Sequence, residues 1–217
     1  MTAKQDFVAQ RERMVVEQIE GRGVKDTAVL QAMRSVPREL FVPEAYKQHA
    51  YDDSPLPIPA QQTISQPYVV ALMISALKLK PKARVLEIGT GSGYAAALLS
   101  RIVEEVHTVE RIPELVDYAR HRLQLLNYTN VTVHLADGTR GLPQYAPYDG
   151  IVVAAGGPQV PTALQAQLRV GGRLVIPVGE IERRQQLVCV MRLTEKDYER
   201  RELGAVAFVP LIGDEGW

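Results

Sequence analysis

The octapeptide Glu87-Ile88-Gly89-Thr90-Gly91-Ser92-Gly93-Tyr94 carries the clearest structural signal in the chain. It overlaps the end of a β-rich run, Arg84 to Gly89, and leads into the helical run "YAAALLSRI". Glycines at such a junction let the backbone turn tightly and let a ligand approach the amides at a helix N-terminus. The stretch therefore predicts a strand, a ligand-binding turn and a helix. Because Gly91, Gly93 and Ala96 also fit the dinucleotide fingerprint, the turn alone leaves the ligand open.

Further strands and helices alternate after this unit. The strand-like runs are 106–110, 131–136, 149–155 and 172–179, and the segments between them have helical period or propensity. This alternation predicts an α/β fold with a parallel sheet and right-handed crossovers. The last two apolar runs, 186–193 and 204–211, flank the charged segment "TEKDYERRE". We expect them to form an antiparallel pair at one edge of the sheet.

The first 80 residues have a different pattern. Apolar spacing predicts helices over 7–19, 26–36 and 66–77, with Ser65 as N-cap of the third and Pro67 in its first turn. The stretch 41–60 has no sustained period and is predicted to be a long functional loop. A chain of 217 residues fits one domain with these helices as an extension.

Composition excludes several classes of partner. Lys plus Arg and Asp plus Glu are both 25, so no net charge attracts nucleic acid. The first twenty residues lack the apolar segment of a secretory signal or membrane span, so we expect a cytoplasmic protein without a membrane partner. The single cysteine, Cys189, cannot form an internal disulfide and is expected to be a buried structural thiol. The scattered histidines predict no metal site.

Two acids at strand ends narrow the choice of ligand. Glu110 ends the second strand of the series about twenty residues after the glycine turn, where a carboxylate can accept hydrogen bonds from both ribose hydroxyls. Asp137, followed by Gly138, ends the third strand and is well placed for an adenine amino group. The second acid favours S-adenosyl-L-methionine (SAM) over NAD. A hydride-transfer enzyme is the second choice, since no Tyr is followed by Lys four positions later. A non-catalytic nucleotide-binding module is a third alternative.

Several motifs together resemble one known family. The segments "QTISQPYVVALM", "VLEIGTGSGY", "VERIPELVDYAR", "ADGTRGL", "YDGIVVAA" and "GGRLVIPVG" occur in the order and spacing of the protein-L-isoaspartate O-methyltransferases. The resemblance implies a Rossmann-like SAM-dependent methyltransferase fold: a mostly parallel twisted sheet with helices on both faces, an N-terminal helical extension and a C-terminal antiparallel strand pair. It also implies a division into helices and substrate loop (1–80), cofactor-binding core (81–180) and C-terminal strands (181–217).

The resemblance assigns roles to individual residues. Ser65 matches the family's active-site hydroxyl, although from the residues alone helix capping is the simpler role. The cofactor SAM is expected against Thr63, Ile64, Gly89, Gly91, Ser92, Gly93, Glu110, Asp137 and Gly138. This chain departs from the family pattern at Pro59-Ala60-Gln61, where relatives have Gly-x-Gly, so a stiffer loop is expected.

The implied reaction is methyl transfer to the free α-carboxylate of L-isoaspartyl residues, which starts repair through a succinimide. The implied partners are flexible isoaspartyl-containing proteins and peptides, and we expect a monomer. A carboxylate with a pKa of about 4 is already ionised at neutral pH, so the reaction needs no general base. A methyltransferase acting on a small molecule with Mg²⁺ is the alternative, but it would need clustered carboxylates near Asp137, where Asp149 is the one weak candidate.

Overall fold

The computed structural model describes residues 6–180 and 184–217. Its strands are β1 (Leu56–Ile58), β2 (Gln62–Ile64), β3 (Arg84–Ile88), β4 (Glu105–Glu110), β5 (Val131–Leu135), β6 (Tyr148–Val153), β7 (Leu168–Glu180), β8 (Arg184–Arg192) and β9 (Tyr198–Val206). Its α-helices are α1 (Phe7–Arg13), α2 (Thr27–Ser35), α3 (Pro67–Leu77), α4 (Tyr94–Ser100), α5 (Pro113–Leu125) and α6 (Thr162–Ala166). The helix of α1 continues as a wider π-helical turn over Met14–Ile19.

One seven-stranded sheet organises the chain, with the strand order β5-β4-β3-β6-β7-β8-β9. Neighbours from β5 to β7 run parallel, whereas β8 and β9 are antiparallel to the strands beside them. The order reverses beside β3, so the carboxyl ends of β3, β4 and β6 frame the crevice where such sheets bind ligands. The predicted mostly parallel sheet and the C-terminal antiparallel pair are confirmed.

Apolar side chains cover both faces of the sheet. Helices α3, α4 and α5 bury residues such as Ile74, Leu98 and Leu115 in a large cluster that also takes in the N-terminal helices. The other face holds a smaller cluster that includes Leu164 of α6 and Tyr148. The two clusters confirm the expected helices on both faces of the sheet. Across the described residues, no helix combines the length and the apolar character that crossing a bilayer requires.

The last strand differs from its prediction. Strand β9 begins at Tyr198, so most of it comes from the charged segment that was predicted to be a connector. Of the predicted strand 204–211, only residues 204–206 lie in β9. The physical reason is the position of β9 at the sheet edge, where it pairs with β8 alone. Charged side chains are common on edge strands because they remain solvated and discourage further pairing.

Two further predictions in the N-terminal region were wrong. The segment 41–60 is not without regular structure, since it contains a 3₁₀ turn at Glu44–His49 and strand β1, which pairs with β2 as a hairpin. Ser65 is not the N-cap of α3, because Gln66 occupies that position and makes no side-chain capping bond. Cys189, on β8, is half-buried rather than fully buried as the sequence predicted, with its Sγ 4.0 Å from the carbonyl oxygen of Ala76.

Candidate functional site

A cavity of about 310 Å³ opens at the carboxyl ends of β3, β4 and β6. Three parts of the chain enclose it: the glycine turn with the neighbouring strand ends, the β1–β2 hairpin with the residues after it, and the segment Phe208–Ile212. Of the ten site residues that the sequence predicts, eight line this cavity: Thr63, Ile64, Ser65, Gly89, Gly91, Ser92, Glu110 and Gly138. Gly93 and Asp137 do not belong to its lining.

The glycine turn adopts a backbone conformation that side chains resist. Gly89, Gly91 and Gly93 all have positive φ, at 91°, 53° and 88°. The amide of Gly89 donates to the carbonyl of Val109 on β4 at 2.8 Å, which ties the turn to the neighbouring strand. Gly93 immediately precedes α4, so its contribution is to the turn geometry rather than to the cavity wall.

The carboxylate of Glu110 is held by three backbone amides. Its Oε2 accepts from the Gly91 amide at 3.0 Å, and its Oε1 accepts from the amides of Arg111 and Ile112 at 2.8 and 3.0 Å. Since a carboxylate offers about four lone-pair positions, one position on Oε2 remains for a ligand hydroxyl. The side chain is therefore oriented before any ligand arrives.

A second carboxyl group in the cavity was missed from sequence. Glu87, on β3, is buried and lines the cavity. Its Oε2 accepts from the Thr108 hydroxyl at 2.5 Å, and the Thr108 and Thr90 hydroxyls are 2.6 Å apart. Burial raises the pKa of Glu87 to about 8, against the opposing effect of the Thr108 hydrogen bond. The signal in the sequence was an acid among the apolar residues Val85, Leu86 and Ile88.

Asp137 and Gly138, at the end of β5, play different parts. Gly138 is buried in the cavity wall, and a Cβ there would collide with the side chain of Ile88. The Asp137 carboxylate accepts from the Thr139 amide and hydroxyl and from the amide of Asp214. Partial burial opposes ionisation, but these hydrogen bonds outweigh it and hold the pKa of Asp137 below its usual range.

The C-terminal tail is a further part of the site that the sequence did not indicate. Besides the bond from Asp214 to Asp137, the amide of Glu215 donates to the Thr139 hydroxyl at 3.2 Å. The Trp217 indole donates to the carbonyl of Gly156 at 3.1 Å. Gly213 leaves space for the Asp137 carboxylate, which a Cβ would strike. The tail thus closes over the end of β5.

Ser65 lies where the hairpin meets α3. With capping left to Gln66, the Ser65 hydroxyl has no hydrogen-bond partner among the described residues, and Ser65 lines the cavity. The hairpin turn before it is strained, because Ala60 and Gln61 both have positive φ, at 55° and 56°. At this departure from the Gly-x-Gly pattern, Ala60 and Gln61 thus adopt a left-handed conformation that glycine would adopt at lower cost.

Comparison with known proteins identifies the family. The family model for protein-L-isoaspartate(D-aspartate) O-methyltransferase matches residues 9–216. The chain belongs to this family. A protein-L-isoaspartate O-methyltransferase of Rhodopseudomonas palustris is 59% identical over 204 residues, covering 94% of both chains. Another, from Pelobacter propionicus, is 59% identical over 207 residues, covering 95% of this chain and 92% of its own.

Solved structures of the same methyltransferase family share the fold. A protein-L-isoaspartate O-methyltransferase that is 30% identical superposes with a TM-score of 0.86 over 95% of this chain and 67% of its own. A Plasmodium falciparum protein assigned to the same family, in complex with S-adenosyl-L-homocysteine, is 25% identical with a TM-score of 0.79, covering 93% and 98% of the two chains.

A second cavity, of about 740 Å³, adjoins the first in this member of the isoaspartate methyltransferase family. The two cavities share Thr63, Ser65, Ala154 and the segment Phe208–Pro210 as walls. The remaining lining residues of the second cavity are Pro55, Gln66, Val69 and 205–207, none of them charged. In the described residues, no group of three or more His, Cys, Asp or Glu side chains is arranged to hold a metal ion.

Proposed function

We propose that Ser65 is the catalytic hydroxyl of a SAM-dependent methyl transfer to the free α-carboxylate of L-isoaspartyl residues. Because the chain belongs to this family, its cofactor is SAM and its activity is the methylation of isoaspartyl residues. The observation that supports the role of Ser65 is its unpartnered hydroxyl, which lies in the wall shared by the two cavities. One cavity would hold the cofactor and the other the substrate chain.

The first cavity has the chemistry that SAM requires. We assign the cofactor to the predicted residues that line this cavity, Thr63, Ile64, Gly89, Gly91, Ser92, Glu110 and Gly138. Gly93 shapes the turn, and Asp137 lies next to the wall residue Gly138. Glu110 has one acceptor position left for a ribose hydroxyl, and Gly138 provides a close approach that a side chain would fill. The carboxylate of Asp137 keeps one free lone-pair position on Oδ2 for an adenine amino group after its three internal hydrogen bonds.

The protein's own contribution is positioning rather than proton transfer. When bound, SAM supplies a methyl group already activated by the sulfonium charge. The attacking carboxylate has a pKa of about 4 and is ionised at neutral pH, so no residue has to remove a proton. The walls exclude water from the carboxylate and hold it in line with its target, and Ser65 donates a hydrogen bond to one carboxylate oxygen.

Repair follows from the chemistry of the product. The methyl ester loses methanol far more readily than the ionised carboxylate loses water. The neighbouring backbone nitrogen therefore attacks the ester carbonyl, expels methanol and closes a succinimide without further catalysis. Hydrolysis of the succinimide returns part of the material to normal aspartate. The substrate must therefore be a flexible protein or peptide segment, because the extra backbone methylene and displaced carboxylate require freedom to enter the site.

The roles divide along the chain. Residues 1–80 would carry the Ser65 loop, 81–180 the cofactor site, and 181–217 the wall that completes both cavities. We propose that the protein acts as a monomer. The equal numbers of acidic and basic residues support a partner that is neither nucleic acid nor membrane, and the single cysteine fits the reducing cytoplasm.

The experiment that tests the role of Ser65 is Ser65→Ala with an isoaspartyl peptide. We expect turnover to fall more than tenfold while the affinity for S-adenosyl-L-homocysteine, measured by calorimetry, stays within twofold. Ser54→Ala removes a hydroxyl just before the β1–β2 hairpin, outside both cavity walls, and serves as the control. Equal turnover in Ser65→Ala and the parent would reject a catalytic hydroxyl.

A further inference from the structure

The side chain of Gln185, on β8, contacts Phe208, which lies after the end of β9 and outside the sheet. Gln185 is only 3% exposed, and its carboxamide forms two hydrogen bonds with the backbone of Phe208. The Phe208 amide donates to Gln185 Oε1 at 2.8 Å, and Gln185 Nε2 donates to the Phe208 carbonyl at 3.1 Å. Strand β9 ends at Val206, whose Cα pairs with that of Gln185. The side chain therefore continues the ladder two residues beyond the last strand.

Gly156 makes room for this contact and secures the other side of the segment. A Cβ on Gly156 would lie within 3 Å of the Gln185 carboxamide. The Gly156 amide donates to the carbonyl of Val209, and the Leu211 amide donates to the carbonyl of Gly156, both at 2.8 Å. Phe208 and Val209 are thus fixed from two directions without belonging to a regular strand.

The segment Phe208–Pro210 lines both cavities, as Ser65 does. Val209 has a second relevant property: its amide makes no hydrogen bond to any described residue, whereas its carbonyl is bonded to Gly156.

A buried glutamine such as Gln185 is costly unless all its polar atoms are hydrogen-bonded, and an apolar side chain of similar size would fill the space without that requirement. The carboxamide is suited to fixing a backbone position as well as filling volume.

We propose that Gln185 is a positioning residue for substrate methylation, acting through Phe208 and Val209 to hold the cavity wall at a fixed distance from Ser65. This inference rests on the proposed function, because it concerns the same substrate carboxylate. Gln185 itself is absent from the lining of both cavities, so its effect on substrate passes through the backbone of Phe208–Pro210.

Two variants separate positioning from simple packing. Gln185→Leu removes both hydrogen bonds and keeps apolar volume, whereas Gln185→Glu keeps the shape but places a carboxylate oxygen against the Phe208 carbonyl. We expect kcat/KM for an isoaspartyl peptide to fall at least tenfold in each at pH 8, with S-adenosyl-L-homocysteine affinity changed by less than threefold. The control is Gln186→Glu, at the next position of β8, where the side chain is exposed.

The pH profile supplies a readout that a packing role would not change. A protonated carboxyl group has one donor and one acceptor, which is the pattern of the glutamine carboxamide. The activity of Gln185→Glu relative to the parent should therefore rise as pH falls from 8 to 6, while the relative activities of Gln185→Leu and Gln186→Glu stay level. If the leucine variant does not fold, the profile of the glutamate variant is the test.

Three outcomes would overturn the inference. The first is peptide kcat/KM within twofold of the parent in Gln185→Leu. The second is an equal loss of peptide methylation and S-adenosyl-L-homocysteine affinity, which would indicate general destabilisation. The third is a flat relative pH profile for Gln185→Glu. If the parent enzyme itself does not methylate the peptide, the proposed function fails first and the positioning role falls with it.

Discussion

The amide of Gly91 donates to the carboxylate of Glu110 at 3.0 Å, joining the turn after β3 to the acid at the end of β4. The two residues are 19 positions apart in the chain. Because the Arg111 and Ile112 amides bind the other oxygen, the glycine turn and the acid form one preorganised unit. A ligand that binds Glu110 therefore meets a carboxylate that needs no reorientation.

Replacing Glu110 with Gln should weaken cofactor binding strongly. The variant loses the charge and turns an amide donor toward backbone amides that need an acceptor. Hydrogen bonds to charged groups contribute about 1.5–3 kcal/mol each, so we expect at least a tenfold loss of S-adenosyl-L-homocysteine affinity by calorimetry. Glu114→Gln, an exposed acid in the first turn of α5, is the matched control. Retention of affinity within twofold in Glu110→Gln would contradict this role.

Replacing Gln61 with Gly should stabilise the protein. A non-glycine residue in the left-handed region costs about 1–2 kcal/mol, whereas glycine adds roughly 0.4–1 kcal/mol of unfolded-state entropy. We expect a net gain of about 0.5–1 kcal/mol in the free energy of unfolding, measured in urea. Gln62→Gly, one position later in β2, relieves no such strain and should destabilise. A loss of stability in Gln61→Gly would show that the loop is not strained at this position.

Glu87 should make the stability of the ligand-free protein fall as pH rises. Its pKa is raised from 4.5 to about 8 by burial, so between these values the folded chain retains a proton that the unfolded chain has released. The stabilisation from this proton is fully present below 4.5 and is lost as pH rises through 8.

The Glu87→Gln variant isolates this contribution. The free energy of unfolding should decrease less steeply from pH 5 to 8.5 in Glu87→Gln than in the parent, because all other titrating groups are common to both. Chemical unfolding at five or six pH values gives the two slopes. Parallel slopes would mean that Glu87 is ionised in the folded protein throughout this range.

The uncharged walls of the second cavity predict a preference among substrate peptides. Transferring a charge into an apolar environment is costly unless the charge is paired. An isoaspartyl peptide with Glu after the isoaspartyl residue should have a KM at least threefold higher than the same peptide with Leu there. A peptide with Ser at this position controls for loss of apolar contact. Equal KM values for Glu and Leu would place the flanking residue in solvent.

The parts of the fold that could be predicted are those with strong local signals. The glycine turn and Asp137 each follow a short strand and Glu110 ends one, and parallel strands bring their carboxyl ends to one edge. The β1–β2 hairpin was missed because Ala60 and Gln61 are not residues that normally occupy positive φ. Strand β9 was predicted too late in the sequence because its first residues are charged. An edge strand tolerates charged residues, so composition alone does not distinguish such a strand from a loop.

The parts of the site that could not be predicted depend on contacts distant in sequence. Asp214 reaches Asp137 across 77 positions, and Gln185 reaches Phe208 across 23. One glutamine in a strand gives no sequence pattern from which its hydrogen-bond partner could be predicted, so the contact with Phe208 is visible only in the structure. Glu87 is different, since an acid within an apolar strand was visible in the sequence and was assigned no role.

The measurement that tests the central claim most directly uses two peptides that differ only in Asp against isoaspartate at one position. Each is incubated with the purified protein and SAM, and the mass of the peptide is measured. A gain of one methyl group by the isoaspartyl peptide alone is the predicted result. Methylation of both peptides, or of neither while S-adenosyl-L-homocysteine still binds, would contradict the proposed specificity and favour a different methyl acceptor.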